Sequence, residues 1–127
     1  MGTAIPGVQD WKSFQRFAQD HFSREWDVAL EERSVKVAEE VDWKFDLVSA
    51  DLRVVGEAKW LKNVPVPAAK WQAIAEYILL LQKVDAPRVF MVFGRDVEVA
   101  ERSLKRVRPL IRPVEFYFLD GEGHHRL

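Results

Sequence analysis

The sequence predicts one α/β domain over residues 1–127, with a mixed sheet and the order helix, three strands, helix, strand, helix, strand. Three observations predict this fold. Apolar residues recur at steps of three and four near the N-terminus, then alternate with polar residues, and later form a continuous run at 88–94. A long helix before such a run implies a crossover to a parallel neighbour, so the sheet should be mixed.

Composition is that of a globular protein with a single core. Of the 127 residues, 48% are hydrophobic and 31% charged, and no apolar run approaches membrane-spanning length. The first ten residues lack the basic and apolar parts of a secretory signal, so we expect a cytoplasmic protein. Because cysteine is absent, disulfides and thiolate metal sites are excluded, and any metal must be held by oxygen or imidazole.

The overall charge does not indicate a nucleic-acid partner. The formal net charge is −1, whereas a protein that binds nucleic acid is usually strongly basic. One stretch differs, because 102–112 contains no acidic residue. Its basic side chains predict either a solvated helix face or a local phosphate-binding surface; they are Arg102, Lys105, Arg106, Arg108 and Arg112.

The first helix is predicted from an apolar stripe that includes Trp11, Phe14 and Phe22. Asp10 stands at the N-cap position, where a carboxylate accepts hydrogen bonds from free backbone N–H groups. Gln15 lies on one edge of the stripe and should point toward the surface on which the helix packs.

The next segment predicts a three-stranded antiparallel meander. In its first strand Val28 and Leu30 are followed by Val35 and Val37. The change of face between the two pairs indicates a bulge or bend at 31–33.

The second strand carries an aspartate within an apolar run. Strict alternation would place Phe45 and Leu47 on one face and Asp46 and Val48 on the other. Residues 49–51 form a tight turn, so the chain should return as a hairpin.

The third strand places two charges on one face. Alternation puts Val55, Glu57 and Lys59 together, and the hairpin brings Asp46 level with Gly56 and Glu57. Two carboxylates so close repel each other unless a positive charge lies between them. The candidates are Lys59 and a divalent cation, which prefers oxygen ligands.

The second helix is predicted at 67–84. Tyr77 and Leu80 widen its apolar stripe almost to a full circle, which indicates burial on more than one side and a homodimer contact through this helix or its neighbouring strand. Lys70 and Gln72 lie in its first turns, closest to the hairpin charges.

The C-terminal part predicts a helix at 96–107, a strand at 115–119 and a frayed tail at 121–127. His124 and His125 could ligate a metal, but adjacent residues on a glycine-flanked tail rarely converge on one ion. We therefore expect this tail to be disordered.

The hairpin and the helices on either side of it resemble the PD-(D/E)-x-K nuclease superfamily, which has the restriction-endonuclease-like fold. The resemblance covers residues 10–94 and depends on KFDLV and VVGEAK. It implies that Asp46 and Glu57 ligate magnesium, that the carbonyl of Ala58 assists, and that Lys59 orients or activates the attacking water.

The same resemblance implies a Mg²⁺-dependent deoxyribonuclease, endonuclease or resolvase-like, with Mn²⁺ as a second metal to test. Gln15 stands where many members have a glutamate, and Phe45 where many have a proline. Lys70 and Gln72 stand where several subfamilies place accessory residues. Lys62 and the basic residues of 102–108 are candidates for DNA contact.

Five alternatives remain at this point. The hairpin charges could form an exposed cross-strand ion pair, or Asp42 could replace Asp46 as a ligand. Trp60 and Trp71 could stack on bases or belong to the core. The domain could also be a non-catalytic interaction module, or act on RNA.

Overall fold

The computed structural model describes residues 4–61, 68–105, 107–111 and 114–127, and these form a mixed α/β fold. The predicted order of elements is confirmed, with one strand added at the end. The elements are α1 (Trp11–Glu25), β1 (Leu30–Ala38), β2 (Val41–Ser49), β3 (Val54–Trp60), α2 (Ala68–Gln82), β4 (Arg88–Gly94), α3 (Val97–Lys105), a 3-10 turn (Arg108–Leu110), β5 (Glu115–Asp120) and β6 (Gly123–Arg126).

The six strands form one sheet in the order β1-β2-β3-β4-β5-β6. The first three strands are antiparallel, β3, β4 and β5 are parallel, and β6 is antiparallel to β5. The parallel neighbour predicted for β4 is therefore confirmed, with β3 on one side and β5 on the other.

Both faces of the sheet are covered. Helix α1 packs on one face, where the buried residues are Ile5, Phe14, Ala18, Phe22, Leu30, Leu47, Phe90, Val92, Tyr117 and Leu119. Helices α2 and α3 pack on the other, against a larger cluster that includes Phe45, Val55, Met91, Phe93, Phe116 and Phe118. Strand β4 is apolar from Val89 to Phe93 because it contributes to both clusters.

The N-cap of α1 and the buried positions of α2 agree with the sequence predictions. The Asp10 side chain accepts the backbone N–H of Ser13 at 2.8 Å, and the Ser13 hydroxyl lies 3.2 Å from the backbone nitrogen of Asp10, which completes a capping box. Helix α2 buries Ile74 and Leu81, while Leu79 stays 57% exposed. Among the described residues, no helix combines the length and the apolar character that crossing a membrane requires.

The prediction of a frayed tail at 121–127 is wrong. Gly123–Arg126 forms β6, in which His124 pairs with Leu119, and the N–H of Leu127 donates to the Phe116 carbonyl at 2.9 Å. The segment has few strand-forming residues, so its order comes from pairing with β5, whose own register is set by the core.

The predicted faces of β2 also need a correction. Phe45 and Leu47 belong to opposite clusters, because the register with β1 shifts between Glu31 and Arg33. Two β2 residues, Asp46 and Leu47, lie opposite one β1 residue there, so β2 carries a bulge. The irregularity predicted at 31–33 is present, with its extra residue on the partner strand.

Candidate active site between the second and third strands

Strands β2 and β3 pair at Leu47–Gly56 and Val48–Val55, which places Asp46 level with Glu57 as predicted. Past these two pairs, toward Asp46 and Glu57, side-chain carboxylates accept the backbone N–H groups that carbonyl oxygens would accept in a continuous ladder. Glu57 Oε1 accepts the N–H of Asp46 at 3.1 Å, and Asp46 Oδ2 accepts the N–H of Ala58 at 3.2 Å. The two side chains therefore bridge a gap between the strands.

The bulge decides where Asp46 lies. The extra residue shifts the side-chain alternation of β2 by one position. The Leu47 side chain therefore packs on the face of the sheet that α1 covers, while Asp46 stays beside β3. The carbonyl of Asp46 accepts a hydrogen bond from Gln19 Nε2 of α1 at 2.9 Å. Helix α1 thus fixes the backbone that carries the first carboxylate.

Gly56, the residue before Glu57, allows β3 to pack closely against the ring of Phe90. A Cβ at Gly56 would come within 2.3 Å of Phe90 Cε1, a distance that no side chain tolerates. The ring of Phe90 fills the space left by the missing side chain, and this close packing sets the height of Glu57 in the sheet.

Glu57 and Lys59 form an ion pair beneath α2. The Lys59 Nζ to Glu57 Oε2 distance is 3.2 Å, and the side chains are 11% and 5% exposed, respectively. Lys59 Nζ also lies 3.9 Å from the ring centre of Tyr77 on α2. The ammonium is therefore held between a carboxylate and an aromatic face. The alternative of an exposed ion pair is wrong for Glu57 and Lys59, which are largely buried.

Both carboxylates hold protons more tightly than usual. Burial, and then the charge of Asp46, raise the pKa of Glu57 to about 8, an effect that Lys59 only partly offsets. Burial raises the pKa of Asp46 as well, against the hydrogen bond from Ala58 and the charge of Lys59. Burial therefore favours the protonated form of both carboxyl groups, and Lys59 offsets this only in part.

Of the predicted accessory residues on α2, only Lys70 lies near the site. Burial and the charge of Lys59 lower the pKa of Lys70, while Glu57 raises it, so the three groups interact. Gln72 is exposed. Residues two apart on a helix point about 200° apart, so Gln72 faces away when Lys70 faces the site. Gln72 therefore does not belong to the site, which corrects its predicted role as an accessory residue.

Gln15 is on α1, and its side chain contacts β1 instead of the strands that carry Asp46 and Glu57. Its Nε2 is 3.4 Å from Glu32 Oε2, and Glu32 lies opposite the bulge and contributes to the raised pKa of Asp46. The sequence reasoning missed Gln19, Glu32 and Tyr77. Gln19 is one helical turn after Gln15, so helical periodicity could have found it.

Two further sequence alternatives can now be resolved. Asp42 is exposed and pairs with Lys36, four residues along the strand from Asp46, so it does not reach Glu57. Trp60 packs on Phe14 with ring centres 5.2 Å apart, and Trp71 packs against the core beneath α2. Both tryptophans belong to the packing of the domain.

The donor set suits a hard divalent cation. The N–H and C=O of one strand residue point toward the same neighbour, so the carbonyl of Ala58, like its N–H, faces the gap toward Asp46. Two carboxylates and one carbonyl are oxygen ligands of the kind that magnesium binds. A cation would also offset the burial and the repulsion from Asp46 that together raise the pKa of Glu57.

Of the basic residues predicted to contact DNA, the structure describes Arg102, Lys105 and Arg108. Lys62, Arg106 and Arg112 are outside the described residues. The others line a surface groove of about 720 Å³, whose walls are Glu98, Glu101, Arg102, Lys105, Arg108, Pro109, Arg126 and Leu127. Helix α3, which supplies Arg102 and Lys105, packs on the same face of the sheet as α2.

Comparisons of the chain with known protein families, with curated proteins and with solved structures found no significant match. The function is therefore argued from the geometry of the site.

Proposed function

We propose that the protein is a metal-dependent nuclease of the PD-(D/E)-x-K type that hydrolyses phosphodiester bonds, with DNA as the favoured substrate. The observation that carries the proposal is the convergence of Asp46, Glu57 and Lys59 where β2 and β3 part. The succession of helix, three strands, helix and strand around them supports a restriction-endonuclease-like core.

Each residue of the site has a role in this proposal. Asp46, Glu57 and the Ala58 carbonyl hold Mg²⁺ or Mn²⁺, which when bound supplies positive charge that acidifies water and neutralises the phosphate. Lys59 donates hydrogen bonds from Nζ to the attacking water or to a phosphate oxygen. Hydrolysis joins the water oxygen to phosphorus and breaks one phosphorus–oxygen bond to the sugar, whose oxygen takes up a proton.

The environment of Lys59 supports such a role. An ammonium held by Glu57 and by the ring of Tyr77 loses little conformational freedom when it engages a phosphate. Lys70 adds a second cation close to the site. Together they give positive charge on the α2 side, where charge would build up in the transition state.

DNA binding is supported by the groove at α3. Four of its residues are basic and two acidic, and three of the basic ones, Arg102, Lys105 and Arg108, belong to α3 and the turn after it, where α3 packs on the same face of the sheet as α2. Basic side chains in a groove contact phosphates irrespective of sequence. Arg126 is also bonded to Glu115, which orients its guanidinium.

A cleavage panel tests the proposal. Duplex, single-stranded and branched DNA, and matched RNA, are incubated with Mg²⁺ or Mn²⁺ and with wild type, Asp46→Asn, Lys59→Ala and the control Asp42→Asn, an exposed carboxylate on the same strand. We expect both site variants to lose at least about 100-fold in rate and the control to match wild type. Absence of cleavage, together with metal binding unaffected by Asp46→Asn, would refute the proposal.

A non-catalytic interaction module is the second candidate. It is favoured by two features: both carboxylates already accept backbone N–H groups, and Gln15 offers an amide on α1. In this case nucleic-acid binding would persist without cleavage under every metal condition. Cleavage that disappears in Lys59→Ala while binding is retained would exclude it.

A further inference from the structure

A second group of potential metal ligands lies on the opposite face of the sheet from Lys59. His21 and Glu25 are one turn apart on α1, and His124 is on β6. One ligand atom from each lies within 4.8 Å of the other two. The closest pair is His21 Nε2 and His124 Nδ1, which are 2.9 Å apart and share a hydrogen bond.

Aromatic neighbours hold both imidazoles in place. The ring of His124 lies 5.2 Å from Phe22 and 5.4 Å from Tyr117, and that of His21 lies 5.0 Å edge-on to Phe22. Phe22 is fully buried. The two nitrogens are therefore positioned by the core, whereas the exposed Glu25 leaves a path for an ion from solvent.

The separation of the nitrogens fits a tetrahedral ion. Two ligands each about 2.0–2.1 Å from zinc at the tetrahedral angle are about 3.3 Å apart, close to the observed 2.9 Å. Two imidazoles and one carboxylate form a typical zinc donor set with a fourth position for water. Magnesium, in contrast, prefers oxygen ligands only.

We propose that His21, Glu25 and His124 bind Zn²⁺ or a chemically similar transition-metal ion and thereby clamp α1 to the edge strand β6. To ligate, the imidazole that donates the hydrogen bond moves its proton to its other ring nitrogen, so both lone pairs face the ion. The clamp joins the first helix to the last strand, elements distant in sequence. This inference is independent of the proposed nuclease activity.

A neighbouring group serves as a control. Asp120, Glu122 and His125 also lie close together, but Asp120 Oδ1 already accepts the N–H of Glu122 at 2.9 Å and lies 3.2 Å from His125 Nε2. His125→Ala leaves the proposed site intact and changes an imidazole on the same short strand. It is therefore the matched variant.

The test is calorimetric titration of the full chain, freed of metal with a chelator, with ZnCl₂ and separately with MgCl₂. Wild type and His125→Ala should bind one zinc ion that raises the melting temperature. His124→Ala and Glu25→Gln should weaken zinc binding by at least the roughly 10–100-fold caused by loss of an outer partner. Circular dichroism of the zinc-free variants checks that they fold.

Cobalt provides a second readout that does not depend on stability. Tetrahedral Co²⁺ bound by imidazoles absorbs visible light strongly, and this band should appear in wild type and vanish in His21→Ala. Equal zinc affinity in wild type and in Glu25→Gln, His21→Ala and His124→Ala would overturn the proposal. So would loss of binding in His125→Ala alone, since this would assign the ion to the neighbouring group.

Discussion

Asp46 and Glu57 each accept a backbone N–H at the place where their strands stop pairing. Glu57 takes the N–H of Asp46, and Asp46 takes that of Ala58. Side chains thus satisfy donors that a continuous ladder would satisfy with carbonyl groups. The arrangement keeps two carboxylates together in a buried position despite their mutual repulsion.

The raised pKa of Glu57 predicts how metal-free stability depends on pH. Its folded pKa of about 8 lies above the ordinary value of 4.5, so the folded state binds this proton more tightly. Stability should therefore fall as pH rises from about 5 to about 8. Glu57→Gln should flatten this slope in urea unfolding followed in chelator. Glu39→Gln, in an exposed turn, should keep it, and equal slopes in wild type and Glu57→Gln would show that another group causes the pH dependence.

The ring of Tyr77 should matter for Lys59 more than its hydroxyl does. Tyr77→Leu removes the aromatic face 3.9 Å from Lys59 Nζ, worth about 0.5–2 kcal/mol, so single-turnover cleavage should slow by about 2- to 30-fold. Tyr77→Phe keeps the face and should retain most of the rate. Similar slowing in both variants would assign the effect to the hydroxyl. Urea unfolding of both variants separates loss of stability from loss of rate.

Gly56 should tolerate no side chain. The Cβ of Gly56→Ala would lie 2.3 Å from Phe90 Cε1, so we expect about 1–3 kcal/mol of destabilisation by overpacking. Phe90→Leu should itself destabilise by leaving space, and the double variant should be more stable than the sum of the two changes predicts. A double-mutant cycle in urea measures this coupling, and strict additivity would show that the two residues do not compete for space.

The groove at α3 predicts a salt-dependent effect on DNA binding. The pair Arg102→Glu and Lys105→Glu removes two cations, so the slope of log affinity against log salt should become shallower by about 2 on duplex DNA. Lys12→Glu and Lys36→Glu, on α1 and β1, provide the control with the same charge change. Equal losses in both double variants would indicate a general charge effect. Fluorescence anisotropy across a salt series makes the measurement.

Local sequence pattern predicted the three helices and the first five strands, and it brought the three charged residues of the central site together. Helical and strand periodicities predicted α1, α2 and the hairpin, and alternation in β3 placed Glu57 and Lys59 on one face. The turn after β2 sets the register that puts Asp46 level with Glu57, although it spans 50–53 and not the predicted 49–51. These features depend on residues close in sequence, which is why the sequence alone determined them.

Only the tertiary structure decided the rest, because it depends on pairing between distant segments. The bulge at Asp46 arises from the register of β2 against β1, and β6 exists because β5 offers it a partner. Gln19 and Tyr77 reach the site through helix packing, and His21 meets His124 across 103 residues of chain. Such contacts form when burial of two apolar faces brings helices and strands together, and no local period encodes them.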